Sequence, residues 1–176
     1  MRTRKNVGEL AAEITVAFGM PLQSKTDQII DQCTQLGVRS FVPLITKKSP
    51  LRLSADKINK RTERWNQVAI SSMKQSMRTM LPAVHLPMDV DELSRQLSRF
   101  DLVLLGSMKG KPLAEVSIPP GLNRIIMVTG PEQGFSRIEE DTLNRAGAIP
   151  VSLGYRRLRA ELAPVVLVSS MLVRLQ

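Results

Sequence analysis

The chain is poor in several residue types, and each shortage removes a class of protein. Its 176 residues include one cysteine and one histidine. Cys33 alone forms no internal disulfide, and Cys33 with His85 is too small an inventory for a zinc site, so no metal is expected and a reducing, cytoplasmic setting is. Aromatic residues are also scarce: Phe18, Phe41, Trp65, Phe100, Phe135 and Tyr155 are all there are. That is too few for a platform on which successive bases stack. The longest apolar run, residues 162–173, is 12 residues long and contains Pro164, Ser169 and Ser170. It falls short of the roughly 20 residues that span a bilayer, so no membrane association is expected and the run reads as a buried helix of a soluble protein. The basic start at Arg2, Arg4 and Lys5 is followed by Glu9 and Glu13, which leaves no apolar core for a signal peptide.

What remains is a globular composition with an uneven charge. Hydrophobic residues make up 43% of the chain and its mean hydropathy is −0.06, enough to build one domain with a core rather than a disordered segment. The formal net charge is +9, and residues 1–80 carry 14 basic against 6 acidic side chains. Between Lys47 and Arg78 nine basic residues face only Asp56 and Glu63. The exposed candidates there are Lys47, Lys48, Arg52, Lys57, Lys60, Arg61 and Arg64, and a polyanion such as RNA is the natural partner, since neutralising phosphates releases counterions. A merely solvated helix face is an equal alternative on charge alone.

Along the chain, short β-branched runs alternate with segments of helical period. Strands are expected at residues 14–18, 41–45, 83–86, 102–105, 125–128 and 149–153. Helices are expected at 26–36, opened by Ser24 and Asp27 and stopped by Gly37; at 55–77, with Ile58, Trp65, Val68, Ala69 and Met73 on one face; at 89–98; from Ser136 to Gly147; and at 162–173. Ser136 and Glu139 form a capping box. The alternation predicts an α/β fold, a parallel sheet flanked by helices on both faces.

Several catalytic motifs are missing. The segment Gly106-Ser-Met-Lys-Gly110-Lys111-Pro112 is one residue too short for a phosphate loop and has Pro112 where a hydroxyl must reach magnesium, so it reads as a turn after a strand. His85 reads as a loop or strand-end histidine rather than a triad member. Two later loops are more informative. Residues 129–136 lie between a strand and a capped helix, and residues 152–161 carry Gly154, Arg156, Arg157, Arg159 and Glu161. Both fall at carboxyl ends of strands, where open parallel sheets bind ligands, although ordinary turn chemistry accounts for them about equally well.

Three stretches carry a resemblance: residues 126–136 (Ile-Met-Val-Thr-Gly-Pro-Glu-Gln-Gly-Phe-Ser), residues 151–163 (Val-Ser-Leu-Gly-Tyr-Arg-Arg-Leu-Arg-Ala-Glu-Leu-Ala), and residues 63–82 with their Arg-Trp, Gln-Ser-Met-Arg and Pro pattern. With residues 24–45 in the same order, the chain resembles the RsmE-type ribosomal RNA uracil-N3 methyltransferases of the SPOUT superfamily over residues 14–176. The resemblance implies a C-terminal deep trefoil knot, a homodimer and S-adenosyl-L-methionine held in the knot. The cofactor contacts it implies are Leu105 and Gly106, then Thr129, Gly130, Pro131, Glu132 and Gly134, then Ser152, Leu153, Gly154 and Leu158. The implied partner is ribosomal RNA or the small ribosomal subunit, methylated at N3 of a uridine.

For such a reaction the uracil must lose its N3 proton, and charge moves onto its carbonyl oxygens. Arg156, Arg159 or Arg78 could stabilise that charge, and Glu161 or a water could take the proton, although Glu161 holding an arginine is the favoured reading. The chain departs from the family pattern at Gln133, Leu162, Lys74, Gln32 and Gln35; residues 1–13 read as an extension with no match to the family's N-terminal RNA-binding barrel, so either a catalytic-domain fragment or a naturally short member is expected. A non-catalytic RNA-binding or ribosome-assembly module on the same scaffold is therefore the alternative, and methylation of another base or of a 2′-OH is a remoter one.

Overall fold

In the computed structural model the structure describes residues 9–21, 25–48 and 54–175. Ser24, expected to cap the first helix, and Arg52, expected to contact RNA, lie outside these residues. Strands β1 (Glu13–Gly19), β2 (Ser40–Ile45), β3 (Ala83–Val84), β4 (Met88–Asp89), β5 (Leu102–Pro112), β6 (Arg124–Thr129) and β7 (Ile149–Ser152) form one sheet of order β3-β2-β1-β6-β5-β7, with β4 also paired to β2. Every pairing is parallel.

Parallel strands must be covered on both faces, and the near-continuous apolar runs of β1 and β6 reflect this. On one face Ile14, Val16, Phe18 and Met127 pack with Ile29 and Cys33 of α1 (Lys25–Gln35), Trp65 and Ala69 of α2 (Ala55–Gln75), and Leu167 and Met171 of α5 (Leu162–Leu175). On the other, Ala17, Leu44, Ile126 and Val128 pack with Leu93 of α3 (Val90–Ser94) and Leu143 of α4 (Arg137–Arg145). Cys33 belongs to this core. Burial pushes its thiol up to about 12, so it stays protonated and unreactive at neutral pH.

Helices α1, α2 and α4 end in the same way. The sixth residue's N–H reaches back to the third-last helical carbonyl (Val38 to Cys33, Arg78 to Met73, Ala148 to Leu143), and the fifth residue's N–H bonds one carbonyl later. The residue at the left-handed position is Gly37 at φ +90° and Gly147 at φ +96° in α1 and α4, but Met77 at φ +57° in α2. Met77 thus adopts a conformation that glycine reaches without cost, and its side chain is 86% exposed, so packing does not offset the strain.

The structure corrects three expectations. The helix expected at 89–98 is α3 with five residues, followed by a single 3-10 turn at Leu97–Arg99, and Met88–Asp89 pairs as β4. The turn expected after Leu105 is a large bulge inside β5: Gly106 and Lys111 both pair with Val151, and the strand resumes to Pro112. A Cβ on Gly110 would stand 2.4 Å from backbone atoms of Pro150 and Val151, so only glycine lets the two strands approach there. Finally, Leu10 and Ala12, assigned to an N-terminal extension, pack against the main core.

Candidate active site

The carboxyl ends of β5, β6 and β7 open into a cavity of about 280 Å³, near the lower end of the range of small-molecule sites. Three segments build its wall. The β5 bulge supplies Gly106, Ser107, Met108 and Lys109; the loop after β6 supplies Thr129, Gly130, Gln133, Gly134 and Phe135; the stretch after β7 supplies Ser152, Leu153, Gly154, Arg156, Arg157 and Leu158. Val151, Ala160, Ala163 and Glu140 complete it.

Local rules place the middle loop. Ser136 caps α4, its hydroxyl accepting from the Glu139 N–H at 3.3 Å while Glu139 Oε2 accepts from the Ser136 N–H at 2.7 Å. The Gly134 N–H closes the preceding turn onto Pro131 O at 2.8 Å. At Gly130 a Cβ would lie 3.1 Å from Gly134 Cα and 3.2 Å from Phe135 N, so a side chain would wedge the loop open. Beyond β7, Gly154 at φ +112° turns the chain, and the Ser152 hydroxyl bonds its N–H at 3.2 Å.

Donors from three other segments fix the loop. The Lys48 ammonium donates to Phe135 O at 2.9 Å and Gln133 O at 3.2 Å, Arg157 donates to Glu132 O, and the Lys47 N–H donates to Glu139 Oε1 at 2.7 Å. Lys25, at the start of α1, stands 3.7 Å from Glu132 and 3.3 Å from Glu161. One ammonium therefore ties the loop after β6 to the entrance of α5. Within the cavity wall, Thr129 Oγ1 is buried without a hydrogen-bond partner. Such an atom costs stability unless something supplies the missing bond.

Of the residues expected at a cofactor, Gly106, Thr129, Gly130, Gly134, Ser152, Leu153, Gly154 and Leu158 line the cavity, as does Arg156. Leu105, Pro131 and Glu132 do not. Leu105 belongs to the core on the α3–α4 face, Pro131 is buried against the end of β1 at Gly19, and Glu132 turns to Lys25. Arg159 and Glu161 lie beyond the wall, Glu161 facing Lys25 rather than an arginine.

Arg78 is a correction. It is not at this site: its guanidinium, 3% exposed, donates to Thr34 O at 2.9 Å and Val38 O at 2.8 Å and pairs with Glu9 at 2.7 Å. Those groups lie at the amino edge of the sheet, opposite the cavity. Burial acts to raise the Glu9 pKa, but hydrogen bonds and charge from Arg78, with the N–H groups of Met80 and Thr79, outweigh it and hold the carboxyl below its ordinary value.

Lys47 and Lys48 are exposed, the Lys48 ammonium also holding the loop, and Arg64, exposed, pairs with Asp27 at 2.6 Å. Lys57 and Lys60 are exposed on the first turns of α2 and Arg61 is half-buried, at the same end of the sheet as the cavity.

The sequence reading missed Ser107, Met108, Lys109, Glu140, Val151 and Ala163 of the wall, and Lys25 behind it. Residues 107–109 were obscured by the failed phosphate-loop pattern. The signal for Lys25 was its place at a strand-to-helix junction. Among the described residues no helix is long and apolar enough to cross a membrane, and no group of His, Cys, Asp or Glu could hold a metal ion.

An open parallel sheet with a loop-built cavity at its carboxyl edge defines an α/β protein that binds a small molecule at that edge. Over residues 8–172 the sequence matches the RNA methyltransferase domain family, and the chain belongs to that family. It is 32% identical over 173 residues to ribosomal RNA small subunit methyltransferase E of Synechocystis, covering 94% of this chain and 55% of that protein. It is 29% identical over 170 residues to the Bacillus subtilis protein of the same name, covering 92% and 66%. The crystal structure of ribosomal RNA small subunit methyltransferase E from Neisseria gonorrhoeae bound to S-adenosyl methionine matches with a TM-score of 0.84 at 27% identity, over 95% of this chain and 68% of that one. The chain thus spans between about half and two thirds of the length of these two sequence relatives.

Proposed function

We propose that the chain is the catalytic domain of an S-adenosylmethionine-dependent methyltransferase that acts on N3 of a uridine in small-subunit ribosomal RNA. The observation that carries this reading is the cavity: three loops converge there, Gly130 and Gly154 allow close backbone approach, and Thr129 Oγ1 lacks a partner. These features fit an amphipathic nucleoside cofactor, with apolar cover from Phe135, Leu153 and Leu158 and polar groups from Thr129 and Ser152. S-adenosylmethionine, when bound, supplies a methyl group already activated by its sulfonium.

The protein's part is orientation and charge. Gly106, Thr129, Gly130, Gly134, Ser152, Leu153, Gly154 and Leu158 would hold the cofactor, and Leu105, Pro131 and Glu132 would shape its loops from behind. Arg156, in the wall and exposed, would face the negative charge that grows on the uracil oxygens as N3 loses its proton. Arg159 follows three residues later on the same loop and is exposed. Glu161, held by Lys25, is the nearest carboxylate in sequence, and a water at the cavity mouth serves equally as proton acceptor. Lys57, Lys60 and Arg61 at the start of α2 would draw in the RNA.

The same reading includes a cytoplasmic homodimer and a trefoil knot. Met108, Tyr155 and Leu162, exposed beside the cavity, support the dimer. The position of β7 beyond β5, with the two chains pressed together at Gly110, supports the knot.

Calorimetric titration with S-adenosylhomocysteine is the direct test. Saturable binding that disappears in Gly130→Val is expected. With methyl-transfer activity in hand, Arg156→Ala should reduce turnover at least about tenfold, in keeping with loss of one charge-stabilising donor, and leave the fold intact. A folded protein that binds RNA tightly but no S-adenosylhomocysteine would replace this reading with a non-catalytic RNA-binding module.

A further inference from the structure

A second cavity, of about 360 Å³, opens at the opposite edge of the sheet, at the amino ends of β1, β2 and β6. It exists because α3 has five residues and covers the sheet only toward the carboxyl end. Val42 and Ile126 give it an apolar floor with Leu93 and Phe100 as one wall, and Thr15 and Ser40 place hydroxyls beside it.

Three guanidinium groups, of Arg39, Arg99 and Arg124, line this depression, with Glu13 the one acidic residue in the lining. Arg124 stacks on Phe100 at 5.2 Å. The adjacent carboxylate, Asp101, accepts from the N–H groups of Asn123 and Arg124 at 2.8 and 2.9 Å and offsets part of the Arg124 charge, which leaves Arg39 and Arg99 as the uncompensated cations. His85 Nε2 lies 2.9 Å from Ser40 Oγ at the far side. The site therefore offers excess positive charge above an apolar floor with hydroxyl and imidazole groups at its margin.

We propose that this depression is a second RNA-contact site, which takes one nucleotide of a single-stranded segment, its phosphate on the arginines and its base over the apolar floor. Guanidinium groups bind phosphate oxygens through paired, charge-assisted hydrogen bonds. The floor explains why a nucleotide rather than inorganic phosphate fills the volume. The choice of RNA rests on the function proposed above, and the placement extends it: the RNA engages both edges of the sheet, with the methyl-transfer cavity at one and an anchoring nucleotide at the other.

The experiment measures fluorescence anisotropy of a labelled single-stranded 12-nucleotide RNA against wild type, Arg39→Ala/Arg99→Ala and Arg99→Glu, with S-adenosylhomocysteine titrations of each. Losing this phosphate contact should weaken RNA binding about tenfold or more and lower the slope of log affinity against log salt by about 0.7, while S-adenosylhomocysteine affinity is unchanged. Photo-cross-linking of 4-thiouridine-substituted RNA to the wild-type protein needs no variant, and cross-links should fall on residues 80–100 or beside Arg124. Unchanged RNA affinity in both variants, or cross-links confined to α2 and the cavity loops, would overturn the proposal. Absence of S-adenosylhomocysteine binding by wild type would instead strike the methyltransferase reading and leave this one standing.

Discussion

The role of Arg78 separates two accounts of the same residue, and its removal gives them opposite outcomes. If it stabilised charge on a substrate, Arg78→Met would lose activity and keep its stability. The structure requires the reverse. The guanidinium satisfies Thr34 O at the end of α1 and Val38 O before β2, and it neutralises Glu9, whose side chain is 8% exposed. Stripping one partner from a buried ion pair costs about 3–5 kcal/mol, because the other charge and the freed acceptors stay buried. Against a total stability of about 5–15 kcal/mol, that is about a fifth or more of the whole. For a chain of this size it corresponds to a fall in Tm of roughly 6–20 °C.

Chemical unfolding of wild type, Glu9→Gln, Arg78→Met and the double variant at pH 7 measures the loss and the coupling directly. Glu9 adds the sign of the pH dependence: its folded pKa is depressed, so its contribution is complete above the unfolded carboxylate range and is lost as pH falls through the folded value. The gap between wild type and Glu9→Gln should be flat from pH 5 to 8 and shrink on acidification below about 4.5. At 10 °C, where Arg78→Met is still folded, S-adenosylhomocysteine should bind as in wild type. A variant within about 1 kcal/mol of wild-type stability, well below the buried-pair cost, that has lost methyl transfer would refute the structural account and return Arg78 to the reaction.

Met77→Gly should stabilise the protein by about 0.5–1 kcal/mol, since the left-handed conformation costs a side chain more than glycine's extra chain entropy takes back; urea midpoints check it. Ser136→Ala removes the α4 cap and should cost about 1 kcal/mol and weaken S-adenosylhomocysteine binding, because α4's first turn ends the cavity loop; calorimetry and urea unfolding together test both. Gly110→Ala forces a Cβ into the β7 backbone at 2.4 Å. It should lower Tm and slow refolding, and an unchanged melting curve would show that the strands do not meet there.

Much of the fold was legible because its signals are local. Both helix stops at Gly37 and Gly147, the capping box at Ser136 and the strands of the sheet follow from a few neighbouring residues, and the two glycine loops were found because strand ends place them together. The errors share a different cause. Arg78 and Arg156 are the same residue type in similarly basic stretches, and nothing within several positions of either says which one faces solvent at a cavity and which is sealed between two helix ends. That is decided by contacts with Glu9, 69 positions earlier, and with Thr34 and Val38. The loop partners of Lys48 were out of view for the same reason, lying 85 and 87 positions away. Lys25 was missed because its two carboxylates belong to loops that meet it only in the folded chain. A basic residue's charge is therefore visible in sequence, but its assignment to ligand or scaffold depends on whether a distant carbonyl or carboxylate reaches it first. In this chain the Arg78 guanidinium closes on two backbone carbonyls and a buried carboxylate, whereas Arg156 is exposed in the cavity wall.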